Sequence, residues 1–259
     1  MAMELDLDRA LALAQEWAKE AGEIHLSYFR GNRLDIQTKS SVYDVVTRAD
    51  KESEACLVAR IGENYPEHAI LGEETGEHAG ESAYRWVVDP LDGTNNFSQG
   101  LPIFTVSIGL QYEGKTVLGV VYAPYFGEMF TAIRGRGAYL GDRRLHVSAK
   151  RDLAHSVMGT GFPYDKGTNP DNNIPNLAAI LPFLRGIRRM GTAAYDLCCT
   201  AAGWLDGYWE LDLKLWDMCA GALMVEEAGG VVVSLRENRG VSIVAGNAVL
   251  VGKIREKVR

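Results

Sequence analysis

Cysteine is scarce in this chain: Cys56, Cys198, Cys199 and Cys219 are all there are, and no two share a metal-ligand spacing. The five histidines, His25, His68, His78, His146 and His155, form no His-x-x-x-His or Cys/His pattern either. Nothing therefore indicates a zinc site or a disulfide framework. The thiols, in segments that read as helical among apolar neighbours, are expected to be buried and free, and the histidines to be surface or core residues. Long apolar runs are also missing, since none approaches the roughly 20 residues that span a bilayer. Met1 to Asp8 is acidic where a secretory signal would be basic, so a soluble cytoplasmic protein is expected. Positive charge is in deficit: a net charge of −7 and a pI near 5.3 repel nucleic acid and anionic membranes, and neither is an expected partner. The local exception, Arg185-Gly186-Ile187-Arg188-Arg189, is too short for a basic tract and reads as a structural or interface feature rather than a substrate contact. Repeats, low-complexity tracts and linkers are absent. The 259 residues, 47% hydrophobic, read as one domain spanning 1–259, in two α/β halves of approximately 1–150 and 151–259.

What is present centres on Trp86-Val87-Val88-Asp89-Pro90-Leu91-Asp92-Gly93-Thr94-Asn95-Asn96-Phe97. An apolar run ends in two carboxylates three residues apart, and the Pro and Gly are expected to stop the strand there. A strand that delivers acids to its own carboxyl end places them where open α/β sheets bind ligands. Asp89 and Asp92 offer hard oxygen, which suits Mg²⁺ or Mn²⁺. Gly93 and Thr94 then open a polar segment whose free N–H groups can hold an anion beside the cation, the makings of a phosphate site.

Along the chain, apolar residues from Leu7 to Tyr28 recur at helical spacing with Asp6 as a plausible cap, predicting a long first helix that ends near Gly31. Val45, Val46 and Thr47 read as a short extended piece, and Thr47 or Asp50 as the cap of a helix running to about Tyr65. Ala69 to Thr75 reads as a strand ending in Glu73 and Glu74, so two neighbouring strands could aim Glu73, Asp89 and Asp92 at one point. Phe104 to Val147 reads as an antiparallel meander whose glycines (Gly135, Gly137, Gly141) mark hairpin turns, without the spacing and following helix of a dinucleotide fingerprint. A second α/β stretch begins near Ser156. It has a surface loop to Pro175, a helix around Leu177 to Arg185, and Gly191-Thr192-Ala193-Ala194 opening a helix that resembles another anion-facing start. Tyr208 to Glu210 reads as a strand and Leu215 to Glu227 as a helix. Strands at Val231 to Ser234 and Ser242 to Ala245 come next, then a short basic surface helix from Lys253 to Arg259.

Three separated segments resemble the inositol monophosphatase family: Gly72-Glu73-Glu74-Thr75, the Trp86 to Phe97 stretch, and Trp216-Asp217-Met218-Cys219-Ala220-Gly221-Ala222 with Glu226-Ala228-Gly229-Gly230 downstream. Lys39-Ser40-Ser41, Asp50 and Gly191-Thr192-Ala193-Ala194 extend the likeness over nearly the whole chain. Departures are Leu91 for Ile, Asn95 for Thr, Thr75 for Ser and Cys219 for an Ala-like residue; none removes a carboxylate. The resemblance implies a layered α/β/α/β/α sandwich of the sugar-phosphatase type, usually homodimeric, with two or three Mg²⁺ per site and sensitivity to Li⁺. It implies that Glu73, Asp89 and the Leu91 carbonyl hold one Mg²⁺ and that Asp89, Asp92 and Asp217 hold a second. By the same likeness, Thr94, positioned by Asp50, orients or deprotonates the water that attacks phosphorus in line, with Glu73 in the catalytic set. Gly93 and Thr94 N–H groups carry the phosphate, while Glu210 and Gly191, Thr192 and Ala193 contact the polyol.

Other readings compete. The Asp-x-x-Asp spacing differs from the Asp-x-Asp-x-Thr loop of haloacid dehalogenase-like enzymes, and no calcium loop is present. Within the resemblance, fructose-1,6-bisphosphatase, histidinol-phosphatase and NADP(H) or 3′-nucleotide phosphatase activities are alternatives. A metal- and phosphate-binding regulator without turnover is the alternative of a different class.

Overall fold

A computed structural model of the chain describes residues 5–31, 34–39 and 43–258; Ser40 and Ser41, quoted in the resemblance, and Arg259 lie outside the described residues. The helical stripe forms α1 (Leu7–Tyr28), whose first turn is capped by the Asp6 carboxylate accepting the Asp8 and Arg9 N–H groups. β1 (Gln37–Thr38) and β2 (Val45–Val46) make a small antiparallel pair ahead of α2 (Arg48–Asn64). The large sheet is built from β3 (Ala69–Gly72), β4 (Gly76–His78), β5 (Tyr84–Asp92), β6 (Thr105–Tyr112), β7 (Lys115–Ala123), β8 (Glu128–Ile133), β9 (Gly137–Leu140) and β10 (Arg143–Arg144). Its order is β10-β9-β8-β7-β6-β5-β3-β4, with only β3 and β5 parallel. The short helix α3 (Thr94–Ser98) comes directly after β5.

The second half supplies β11 (Val157–Thr160), α4 (Ile174–Ile180), β12 (Gly186–Arg188), α5 (Ala193–Ala201), β13 (Gly207–Leu213), α6 (Leu215–Glu227), β14 (Val231–Arg236), β15 (Val241–Gly246) and α7 (Ala248–Arg255). Its sheet runs β12-β11-β13-β15-β14. Successive side chains of a strand point to opposite faces, so neighbours in sequence feed different cores. Val120 packs with Trp17, Leu57 and Trp86 under α1 and α2, whereas Val121 packs with Leu197 and Leu223 of α5 and α6. Tyr208 likewise joins that middle core, while Trp209 packs with Ile180, Leu250 and Ile254 under α4 and α7. The result is five layers: α1 and α2, the large sheet, α5 and α6, the small sheet, α4 and α7. This is the α/β/α/β/α sandwich expected from the sequence.

Three expectations need correction. β5 does not stop at Asp89 but runs to Asp92. Its parallel partner β3 ends opposite Val88, and the register with β6 shifts between Asp89 and Asp92, so Pro90 falls where the missing N–H has no ladder partner to lose. The helix expected at Leu177 to Arg185 is α4, which starts at Ile174 because Pro175 fits a first helical turn; Pro182 limits it, leaving a 3₁₀ turn over Leu181–Phe183. The terminal helix begins at Ala248, where the Asn247 side chain accepts the Val249 and Leu250 N–H groups, and it buries Leu250, Val251 and Ile254 rather than lying as a basic surface helix. Among the described residues no helix is long and apolar enough to cross a membrane.

Candidate active site

The strand exit of β5 is shaped by its own side chains. Asp89, 2% exposed, accepts the Leu91 N–H at 3.0 Å, which turns the backbone so that Asp92 points into the same opening. Gly93 then adopts φ 98°, and a Cβ there would lie 2.5 Å from Thr192 Oγ1 and 3.0 Å from the Ile103 carbonyl. Only glycine fits. The Asp92 carboxylate accepts the Ala194 N–H at 2.7 Å in the first turn of α5. The helix start at Gly191-Thr192-Ala193-Ala194 is thus anion-facing, and the anion it receives is one of the chain's own carboxylates.

Asp217 sits in the first turn of α6, where its carboxylate accepts the Lys214 N–H at 2.7 Å. α6 reaches the large sheet because β6 and β7 carry glycine where it crosses. A Cβ at Gly109 would lie 2.5 Å from Cys219 Sγ, and one at Gly119 would lie 3.1 Å from the Ala220 backbone. Those missing side chains let the helix start approach the end of β5.

The opposite wall comes from α2. Asp50 is the N3 residue of a capping box and accepts both the Thr47 N–H (2.8 Å) and hydroxyl (2.6 Å) on Oδ2. Its other oxygen accepts the Thr94 hydroxyl at 2.8 Å. Asp50 is therefore both cap and site residue. The Thr94 hydroxyl also lies 3.0 Å from the Leu91 carbonyl, which keeps a second lone pair for another partner. One helical turn beyond Asp50, fully buried Glu54 accepts the N–H groups of Glu74 (2.9 Å) and Thr75 (2.6 Å), pinning the turn that carries Glu73. Sequence reading missed Glu54; its i+4 spacing from Asp50 was the available signal.

Electrostatics show that the carboxylates share one space. Burial pushes Asp89 well above the ordinary carboxylate range, and the charges of Glu73, Asp92 and Asp217 push it further. Asp92 is raised well above its ordinary value by burial and then by Asp217, with the Ala194 N–H opposing. Asp217 is pushed up to about 7, by burial first, against the pull of the Lys214 N–H. Glu73 is raised by burial and held back by Lys39, whose ammonium lies 2.8 Å away and also touches Glu74. Among the described residues no three such side chains are already drawn to the spacing of a formed metal shell. The mutual charge effects nevertheless place all four around one opening. Mutually raised carboxylates around one opening, one of them paired with an ammonium, are the arrangement a divalent cation would stabilise. Every donor is oxygen, which fits Mg²⁺ or Mn²⁺.

Glu73, Asp89, Leu91, Asp92, Gly93, Thr94 and Asp217 line one small pocket together with Tyr164, Arg189 and Gly191. It adjoins a cavity of about 670 Å³ walled also by Thr192, Ala193, Glu210, Asp212, Lys214 and Trp216. All the site residues expected from the sequence therefore lie on these two spaces, except Asp50, which acts from behind Thr94. Arg189 corrects the reading of the basic cluster, since it lines both spaces, where its charge lowers Glu210. Burial still dominates and leaves Glu210 at about 7, with the Tyr208 hydroxyl donating to it. Lys39 and Arg189 were not assigned to the site from sequence, because a basic side chain reads the same whether it meets solvent or a distant carboxylate. Asn95, one of the departures, donates to the Tyr43 carbonyl at 3.0 Å and ties α3 to the segment ahead of α2.

A five-layer sandwich with carboxylates gathered at the carboxyl end of a strand defines the class of layered sugar-phosphatase folds. The chain belongs to the Inositol monophosphatase family, whose profile matches residues 6–258. It is 45% identical to a Nus factor SuhB of Pasteurella multocida over 224 residues, 86% of this chain and 84% of that one. It is 42% identical to an inositol-1-monophosphatase of Mesorhizobium japonicum over 212 residues, 80% of each. The inositol monophosphatase structure from Anabaena superposes with a TM-score of 0.86 at 35% identity, covering 98% of this chain and 96% of that one.

Proposed function

We propose that the protein is a Mg²⁺-dependent phosphomonoesterase acting on inositol monophosphate or a similar polyol or sugar phosphate. The observation that carries the reading is the convergence of Glu73, Asp89, Asp92 and Asp217 on one pocket beside a threonine hydroxyl already held by a buried aspartate. Glu73, Asp89, Asp92, Asp217 and the Leu91 carbonyl would hold the cations, which when bound supply Lewis-acid polarisation of the phosphate and activation of water. The protein's own part is positional. Thr94, donating its proton to Asp50, keeps its oxygen lone pairs directed at a water, and so orients that water for in-line attack. Gly93, Thr94 and Asn95, at the start of α3, line the pocket, and backbone N–H groups there can donate to phosphate oxygens. Glu210, Arg189 and the Gly191-Thr192-Ala193 turn line the adjoining cavity, where a polyol leaving group would rest.

The test is phosphate release from inositol 1-phosphate with and without Mg²⁺. Asp217→Asn should lose roughly 100-fold or more in kcat/KM while still folding; full Mg²⁺-dependent turnover by that variant would refute the assignment. A panel of sugar and nucleotide phosphates at one Mg²⁺ concentration separates inositol phosphate from the other substrates of such enzymes. Mn²⁺ as a substitute, Li⁺ as an inhibitor, a homodimer and a cytoplasmic setting belong to the proposal through family resemblance. A second reading takes its support from the relatives named Nus factor SuhB. A role of that kind independent of turnover would survive in Asp217→Asn, whereas the phosphatase activity would not.

A further inference from the structure

We infer that the β14–β15 hairpin, which contributes no side chain to the cavity, sets which leaving group fits by clamping the cavity's outer wall through Arg236 and Arg239. The inference rests on the phosphatase reading and deepens it.

The outer wall is the segment 161–173 between β11 and α4, which has no helix or strand of its own yet supplies Phe162, Tyr164, Asp165 and Thr168 to the cavity. A segment of that length without regular structure would sample many conformations unless tied down. Two arginine forks tie it. Arg239 grips Asp165 with both terminal nitrogens, Nη2 to Oδ1 at 2.5 Å and Nη1 to Oδ2 at 3.0 Å, and its Nε donates to the Asp171 carbonyl at 3.0 Å. Arg236 grips the Asp171 carboxylate through Nε (3.0 Å) and Nη2 (2.9 Å). These are two-pronged pairs with planar complementarity in which the arginines are the more buried partners, Arg239 at 14% exposure against 39% for Asp165, so their geometry rather than deep burial sets them apart from single-bond surface pairs.

The same Arg239 Nη1 lies 3.7 Å from Asp212 on β13, two residues beyond Glu210 on the facing wall. One guanidinium thus joins two segments, that of Asp165 and that of Asp212, which both wall the cavity. Inside the segment, Asn169 donates to Asp165 and accepts the Asp171 N–H, so the two clamped acids move together. At the far end buried Asn173 donates to the Gly161 carbonyl at 2.6 Å and accepts the Trp209 indole N–H at 2.8 Å. Between these ties lies the stretch that bears Tyr164, and it is the stretch whose position the clamp sets. Thr94, Asp50 and the four carboxylates belong to other elements, and of the clamped segment Tyr164 alone also lines their pocket, so the clamp acts chiefly on leaving-group fit.

Arg236→Gln, Arg239→Gln and the double variant, compared with the parent on inositol 1-phosphate and on 2-glycerophosphate, test this. The double variant should raise KM for inositol 1-phosphate about tenfold with kcat within about twofold, and leave the smaller glycerol ester nearly unchanged, so the preference between them falls about tenfold. Arg239→Lys, which keeps the charge but not the fork, should recover little of it. Hydrogen exchange supplies a readout independent of turnover: amides of 162–172 should exchange about tenfold faster in the double variant with the rest of the protein unaltered. Unchanged exchange in 162–172, an unchanged preference ratio, or an equal fall for both substrates would each overturn the clamp. Loss of all phosphate release in the parent, by contrast, would refute the phosphatase reading and leave the exchange arm to judge the clamp.

Discussion

Thr94 has one hydroxyl proton and two acceptors within reach, Asp50 at 2.8 Å and the Leu91 carbonyl at 3.0 Å. Buried Asp50 already receives two hydrogen bonds from Thr47, yet burial still lifts its pKa, so a third donor is favourable wherever it is ionised. The proton given to Asp50 leaves the Thr94 oxygen as an acceptor, the role proposed for orienting water. Thr94→Ala should therefore lower kcat by about 10²-fold or more. Thr94→Ser should retain most activity, and both should keep the stabilisation that Mg²⁺ confers, because Thr94 is not among the proposed ligands. Steady-state kinetics beside thermal melts decide it; loss of the Mg²⁺ effect in Thr94→Ala would show that the hydroxyl holds the metal site together instead. At this scale the sequence exposed the acids, since a carboxylate pair at the end of an apolar run breaks the pattern around it. It offered Asp50 as either cap or site residue. The structure resolves that choice, because a carboxylate has two oxygens and each role uses one.

Among the elements, α2 carries the most positioning. One face presents Asp50 to Thr94 and, a turn later, Glu54 to the Glu73-Glu74-Thr75 turn. Glu54→Gln would keep one amide oxygen as an acceptor but set its NH₂ against the other of the two N–H groups, destabilising the protein by about 1–3 kcal/mol. It should also raise the Mg²⁺ concentration needed for half-maximal activity, since Glu73 loses its fixed backbone. A melt and a Mg²⁺ titration check this, and an unaltered titration would mean the turn is held by β3 and β4 alone. Most elements were legible because periodicity and caps are local: α1 and α6 begin where Asp6 and Leu215 predicted. β5 was drawn short because Pro90 was read as a stop, when the end of β3 makes it harmless. α4 and α7 were displaced because Pro175 and Asn247 act as helix starts only when the residues after them have an apolar face to pack against.

For the whole molecule, the site is a source of instability that a cation would relieve. Asp217 and Glu210 are both pushed up to about 7, so the folded protein holds protons that the unfolded chain releases near the ordinary carboxylate values. The stability this contributes is present below those ordinary values and is lost as pH rises through 7. Burial lowers His25 from 6.5 to about 3, and its contribution has the opposite sense: present above 6.5 and lost as pH falls. The carboxylate effect is therefore clearest between pH 6.5 and about 8, where the Tm of metal-free protein should fall with rising pH. Mg²⁺ binding requires deprotonated ligands and should reverse the trend, adding about 2.7 kcal/mol at 100 times its Kd. Melts in EDTA and in Mg²⁺ across that window test the account, and a Tm indifferent to both would sink the cation site.

The residue order alone carried most of the helices and strands and the position of the acids at strand exits, because strand period, helix period and chain breaks are written in neighbouring residues; the five-layer architecture was implied by the family likeness of its motifs. Folding alone decided that Arg189 reaches into the cavity, that Lys39 pairs with Glu73, that Glu54 holds the turn behind it, and that Arg236 and Arg239 grip the segment bearing Tyr164. Each of these joins residues far apart in the chain, and a single charged side chain in a loop looks the same in sequence whether it meets water or a distant partner.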